Sequence, residues 1–157
     1  MTDETPWFID IPLPALLRHA RRTYGAAMRR ALDTAGYDDL PGNGLYVIGS
    51  LARTETPLAQ VVEELGVSKQ AAGQLVDTLV QRGYLTREID PADRRRLTVT
   101  LTERGRAAAE AQEAARQEVD ADLVARVGPK NVMSARLALA TLIGIGREMR
   151  ADEAWLR

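Results

Sequence analysis

The chain has 157 residues, 27% of them charged, a formal net charge of −1, one histidine and no cysteine. That length bounds a single domain, or one small module with a region for assembly. The absent cysteine excludes disulfides, thiolate metal sites and a thiol oxidant sensor, and a lone His19 makes a zinc site a poor reading.

Alanine and leucine dominate the apolar residues, which favours helices. The start, Met-Thr-Asp-Glu-Thr, has neither a basic run nor an apolar core, and no stretch approaches membrane-spanning length. The expected setting is the cytoplasm, with no membrane partner. After this acidic opening comes Pro6-Trp7-Phe8-Ile9, a cluster too apolar to leave in water. It either covers a dimer seam or, through Trp7 or Phe8, walls a ligand pocket.

A first helix begins near Pro12 or Pro14, both tolerated in a first turn. Leu13, Leu16, Leu17, Ala20, Tyr24, Ala27, Met28, Ala31 and Ala35 step along it by threes and fours. Arg18, Arg21, Arg22, Arg29 and Arg30 fall mostly on the other side, where a solvated or salt-bridged face is expected. Gly36 ends the helix, and 37–43 is a loop containing Pro41-Gly42. A short apolar helix from Leu45 to about Ala52 follows. Thr56 and Pro57 then supply the cap and first position of another, which Gly66 closes.

Ser68 is the N-cap of a helix running to about Gln81. Ala71, Ala72, Leu75, Val76, Leu79 and Val80 form its inner stripe, while Lys69, Gln70, Gly73, Gln74, Asp77 and Thr78 face outward. Amide side chains can donate and accept together at an adenine edge. Gly83 stands where a C-terminal glycine belongs. Tyr84–Ile89 and Leu97–Leu101 then read as two strands around the turn Asp90-Pro91-Ala92-Asp93, with Arg94, Arg95 and Arg96 at the tip. Eight cations against five anions make Gly66–Arg106 a +3 stretch in a nearly neutral chain. A helix-turn-helix followed by a basic hairpin is the layout of a winged DNA reader. Ser68, Lys69, Gln70 and Gln74 are the candidates for the major groove. Arg94, Arg95 and Arg96 are those for phosphates and the adjacent minor groove, whose negative potential favours arginine.

Thr102 caps the next helix, alanine-rich and largely exposed from Arg104 to Arg126, with Leu123, Val124 and Val127 marking its return to a core. Gly128-Pro129 breaks it, and a last helix runs from about Lys130 to Trp155. The first and last helices hold more apolar stripe than the middle of the chain can cover. A two-fold dimer would bury it and set two reading helices roughly 34 Å apart, one DNA turn.

The segment resembles the MarR family of bacterial transcriptional regulators. That family's wing motif is matched by Asp93, Arg95, Leu101 and Thr102, with the lead-in Asp90-Pro91. Leu75-Val76-Asp77 and Gly83-Tyr84-Leu85-Thr86-Arg87 also look like the family's reading helix and first wing strand. The resemblance implies that Arg95 enters the minor groove and Asp93 supports it. It further implies a homodimeric repressor on a pseudo-palindromic double-stranded DNA operator, released by a small phenolic or other anionic effector bound between the dimer helices and the DNA lobe. Trp7, His19, Arg22, Tyr24 and Tyr46 are the pocket candidates, chosen for chemistry and position. The expected fold is mainly α with a small β-hairpin wing: a winged helix-turn-helix at 37–102, flanked by dimerisation helices at 1–36 and 103–157. No catalytic residue, cofactor or metal ligand is expected, because no Gly-rich phosphate loop or nucleophile–histidine pair is found. The alternatives are a winged helix that contacts only proteins and a regulator without a ligand.

Overall fold

The computed structural model describes residues 7–53, 58, 61–62, 65–89 and 97–155. A 3-10 turn at Trp7–Asp10 leads into α1 (Leu13–Thr34), then α2 (Gly44–Arg53), α3 (Lys69–Gln81), β1 (Leu85–Ile89), β2 (Leu97–Leu101), α4 (Glu103–Val127) and α5 (Pro129–Trp155). Between α2 and α3, Leu58, Val61 and Val62 are helical. The expected cap at Thr56 with Pro57, and the turn Asp90–Arg96, lie outside the described residues. The chain divides into two units, Met1–Gln117 and Glu118–Arg157.

The first unit is built around one core. Met28 and Leu32 of α1, Leu40 of the following loop, Leu45, Val47 and Ile48 of α2, Val61, Leu79 of α3, Tyr84, Leu85, and Ala108 and Ala109 of α4 all join it. Leu79 is fully buried, and truncating such a leucine typically costs about 2–5 kcal/mol. Only the C-terminal half of α1 reaches this core, with Tyr24 packed at its edge. Met28 and Leu32 are buried, whereas Leu13, Ala20 and Ala35 of the expected stripe are exposed. On α3, Ala72, Val76 and Leu79 are buried as expected, but Ala71 is exposed and Thr78 half-buried. The inward arc of α3 is thus narrower than its apolar sequence suggests, because a methyl group in the first turn is readily left in water.

Local chemistry fixes the ends of α3. Ser68 Oγ accepts from the Ala71 amide at 3.2 Å. At the other end Gly83 has φ +74°, a conformation that L side chains rarely adopt. The Gly83 amide donates to the Val80 carbonyl at 3.0 Å and the Tyr84 amide to that of Leu79 at 2.9 Å, closing a Schellman cap. Leu79 and Tyr84, the apolar pair that goes with such a cap, are both fully buried.

β1 and β2 pair antiparallel, with Leu85 opposite Leu101 and Ile89 opposite Leu97. Thr102 ties the foot of this hairpin to α4. Its amide donates to the Tyr84 carbonyl at 3.1 Å, its hydroxyl lies 2.5 Å from the Gly83 carbonyl, and the same oxygen accepts from the Gly105 amide at 3.0 Å. Gly105 packs so closely that a Cβ there would sit 2.1 Å from the Tyr84 carbonyl oxygen.

α4 departs from the exposed helix expected of its sequence. Gly105, Ala108, Ala109, Gln112 and Ala115 are buried. Small side chains let the helix approach α2 closely: Gln112 Nε2 donates to the Leu45 carbonyl at 2.9 Å over the space that Gly49 leaves. In the second unit, Leu123, Val124 and Val127 are exposed rather than in a core, as are Met133, Leu137, Leu142, Ile143, Ile145 and Met149 of α5. Among the described residues no helix is long and apolar enough to cross a membrane.

Candidate nucleic-acid interface

One side of α3 is occupied by the core, so its other side is a free surface. Ser68, Lys69, Gln70, Gly73, Gln74 and Asp77 are all exposed there. Ser68 spends its hydroxyl oxygen on the helix cap, which places it at the helix end rather than free to reach outward. Gln70 and Gln74 are one turn apart and Asp77 continues their line, since residues at i, i+4 and i+7 share a face. Gln74 also borders a shallow groove lined by Pro41, Gly42, Asn43, Ala71 and Thr78. Asp93, Arg94, Arg95 and Arg96 lie outside the described residues. The described part of the hairpin shows where it starts: β1 leaves the core at Leu85, with Arg87, Glu88 and Ile89 exposed.

The hairpin and α3 are held at a defined angle by side chains whose role is not legible in the sequence. Arg87 Nη2 donates to Asp77 Oδ1, joining β1 to α3. Just past the C-terminal end of α3, Asp39 from the α1–α2 loop gathers a polar cluster. It accepts from the Tyr84 hydroxyl, and from Arg104 Nη2 at 2.9 Å. Arg82 Nη1 donates to the Asp39 backbone carbonyl. The Arg104 guanidinium lies over the Tyr84 ring at 4.7 Å and the Tyr37 ring at 5.6 Å. The Tyr84 hydrogen bond, aided by the Arg104 and Arg82 charges, holds the Asp39 carboxyl below its ordinary value. Burial, with Asp39 beside it, pushes the Tyr84 phenol up. Because the Asp39 value is depressed on folding, what this cluster adds to stability is present above the ordinary aspartate range. It is lost only as pH falls through the folded value. The cluster therefore stays intact at neutral pH. It was beyond sequence reasoning because Asp39 and Arg104 stand 65 residues apart.

Of the five pocket candidates, the structure brings two together. Arg22 and Tyr46 line one open cleft of about 400 Å³ with Arg18, Arg21, Gly25, Gly42 and Asn43. His19 is exposed on α1 and not in its lining, Tyr24 is half-buried against the core, and the side chain of Trp7 is outside the described residues. Arg21 Nε donates to the Tyr46 hydroxyl at 3.3 Å, and its guanidinium lies 4.5 Å from the Tyr46 ring centre. The signal for the missed members was in the sequence, since 18, 21, 22 and 25 are one face of a helix. Arg29, expected on a solvated or salt-bridged face, instead clamps the loop. Nη1 donates to the Leu40 carbonyl at 2.8 Å and Nη2 to that of Pro41 at 3.3 Å. Among the described residues no group of histidine, aspartate and glutamate could hold a metal ion.

Comparison with known proteins shows what these elements are similar to. The model of the MarR family matches residues 38–96, from the loop before α2 into the hairpin. Curated protein sequences give no match. Among solved structures, a MarR family transcriptional regulator from Silicibacter pomeroyi is 25% identical. The alignment covers 90% of this chain and 93% of that one, with a TM-score of 0.69. A probable transcriptional regulator from Pseudomonas aeruginosa is 27% identical over 85% of this chain and 98% of its own, with a TM-score of 0.61. The Staphylococcus aureus MepR–DNA complex, at 17% identity, is similar in fold, with 86% and 98% coverage and a TM-score of 0.66. By the family match to its central module and a fold shared along most of its length, the chain is similar to the MarR family of winged helix-turn-helix transcriptional regulators.

Proposed function

We propose that the chain is a homodimeric repressor that reads a pseudo-palindromic operator and is released from it by a small anionic or phenolic ligand. The observation that carries the DNA reading is the outward face of α3, where Lys69, Gln70 and Gln74 are exposed on a helix whose other side is fixed in the core. In this reading Gln70 and Gln74 meet base edges, Lys69 meets phosphate, and residues 37–102 act as the DNA-binding lobe. Arg94, Arg95 and Arg96 follow the neighbouring minor groove and backbone, with Asp93 supporting Arg95. The MepR–DNA complex supports the assignment by its fold alone.

Dimer formation is supported by the exposed apolar side chains of α4 and α5, more than a lone chain tolerates in water. Release by a ligand is supported by the cleft of Arg18, Arg21, Arg22 and Tyr46, which offers cationic donors beside an aromatic ring. A ligand there releases DNA only by preferring a dimer whose lobes are misplaced.

The test is a gel shift at two salt concentrations, repeated with an aromatic carboxylate. A DNA reader loses affinity steeply as salt rises, and the carboxylate weakens binding further at fixed ionic strength. Binding indifferent to salt would favour a winged helix that contacts only proteins. DNA binding untouched by the carboxylate would favour a regulator without a ligand of that class.

A further inference from the structure

The pair Asp77–Arg87 joins the outward face of α3 to the first strand of the hairpin. Side chains alternate along a strand, so Arg87 shares the face of Leu85, which is buried in the same cluster as Leu79 of α3. Arg87 therefore stands in the angle between helix and hairpin, one step outside the core. Both partners remain open to solvent, at 44% of the Arg87 side chain and 66% of that of Asp77.

A helix in the major groove and a hairpin over the next minor groove must straddle the sugar-phosphate ridge between the two grooves. Whatever occupies the angle between them faces that ridge. A bare carboxylate there would repel phosphate. A guanidinium carries five donors in a rigid fork, suited to holding a carboxylate on one edge and a phosphate on another.

We propose that Arg87 contacts a backbone phosphate on that ridge and that Asp77 is the positioning residue that holds its fork in place. This rests on the reading of α3 as the groove-entering helix, and adds to it a contact outside both α3 and the wing tip.

The experiment measures operator affinity across a salt series for the full-length chain and for R87A, R87K, D77N and, as a control, R95A. We expect R87A to bind roughly tenfold more weakly, the loss of one charge-assisted hydrogen bond. Its log–log salt slope should fall by about 0.9, the value of one phosphate contact. R87K keeps the slope but recovers only part of the affinity, because ammonium lacks the fork. The sign of D77N is the sharper reading. Removing an anion from a DNA-facing surface should by simple electrostatics tighten binding, whereas loss of a positioning group weakens it. Exposed ion pairs contribute little to folding, and thermal melts matching the parent chain establish that each variant is folded.

An unchanged slope in R87A, or tighter binding by D77N, while R95A still weakens binding, overturns this proposal and leaves the DNA reading standing. A parent chain that binds DNA without salt dependence overturns both.

Discussion

At the scale of the residue, two positions divide cleanly into surface and packing. Gln74 is exposed, one turn from Gln70, and makes no contribution to the core. Gln74→Ala should leave folding intact and reduce discrimination between the operator and a single-base variant by about 1–3 kcal/mol. Affinities measured on both duplexes check this, and an unchanged ratio would remove Gln74 from the reading set. Gly105 is the opposite case. An added Cβ would meet the Tyr84 carbonyl at 2.1 Å, a backbone atom that cannot rotate away, and Leu101 Cδ2 at 3.0 Å. Gly105→Ala should cost about 1–3 kcal/mol, the usual range for overpacking. It should appear as a lower urea midpoint with an unchanged m-value. Gln74 was legible in the sequence because exposure on a helix follows from periodicity. The constraint on Gly105 was not, because it arises from a carbonyl twenty-one positions earlier in the chain.

At the scale of the element, the sequence was most informative where the cause is local. Ser68, Gly83 and Thr102 mark helix ends through bonds to neighbours a few residues away, and the helix and strand bounds around them agree with the structure to within a residue. It was least informative where small residues pack. α4 carries alanines on nearly every side, so its sequence gives no contrast between inner and outer faces, yet Ala108, Ala109 and Ala115 are buried. On α1 the apolar stripe runs past the core, as its length implied, with Leu13 and Ala20 exposed. The hairpin is anchored at its foot by Thr102 and Leu85. If the tip follows the minor groove, Arg95→Ala should weaken every sequence alike and lower the salt slope by about 1. Retention of the parent slope on both specific and random duplexes would take the tip out of the interface.

At the scale of the whole molecule, the exposed apolar residues of α5 are the largest feature a single chain leaves unexplained. Met133 and Leu137 lie on one side of the helix and Leu142, Ile145 and Met149 on another, as the 100° step of a helix requires. A helix apolar on more than one side is ordinarily buried on more than one side. A second copy would meet that need and would present two α3 helices to one face of a duplex. Selection of bound duplexes from a random pool by the full-length chain should enrich an inverted repeat whose half-sites are centred about one helical turn apart, roughly 34 Å. Enrichment of a lone, non-repeated motif, or of no motif at all, would contradict it.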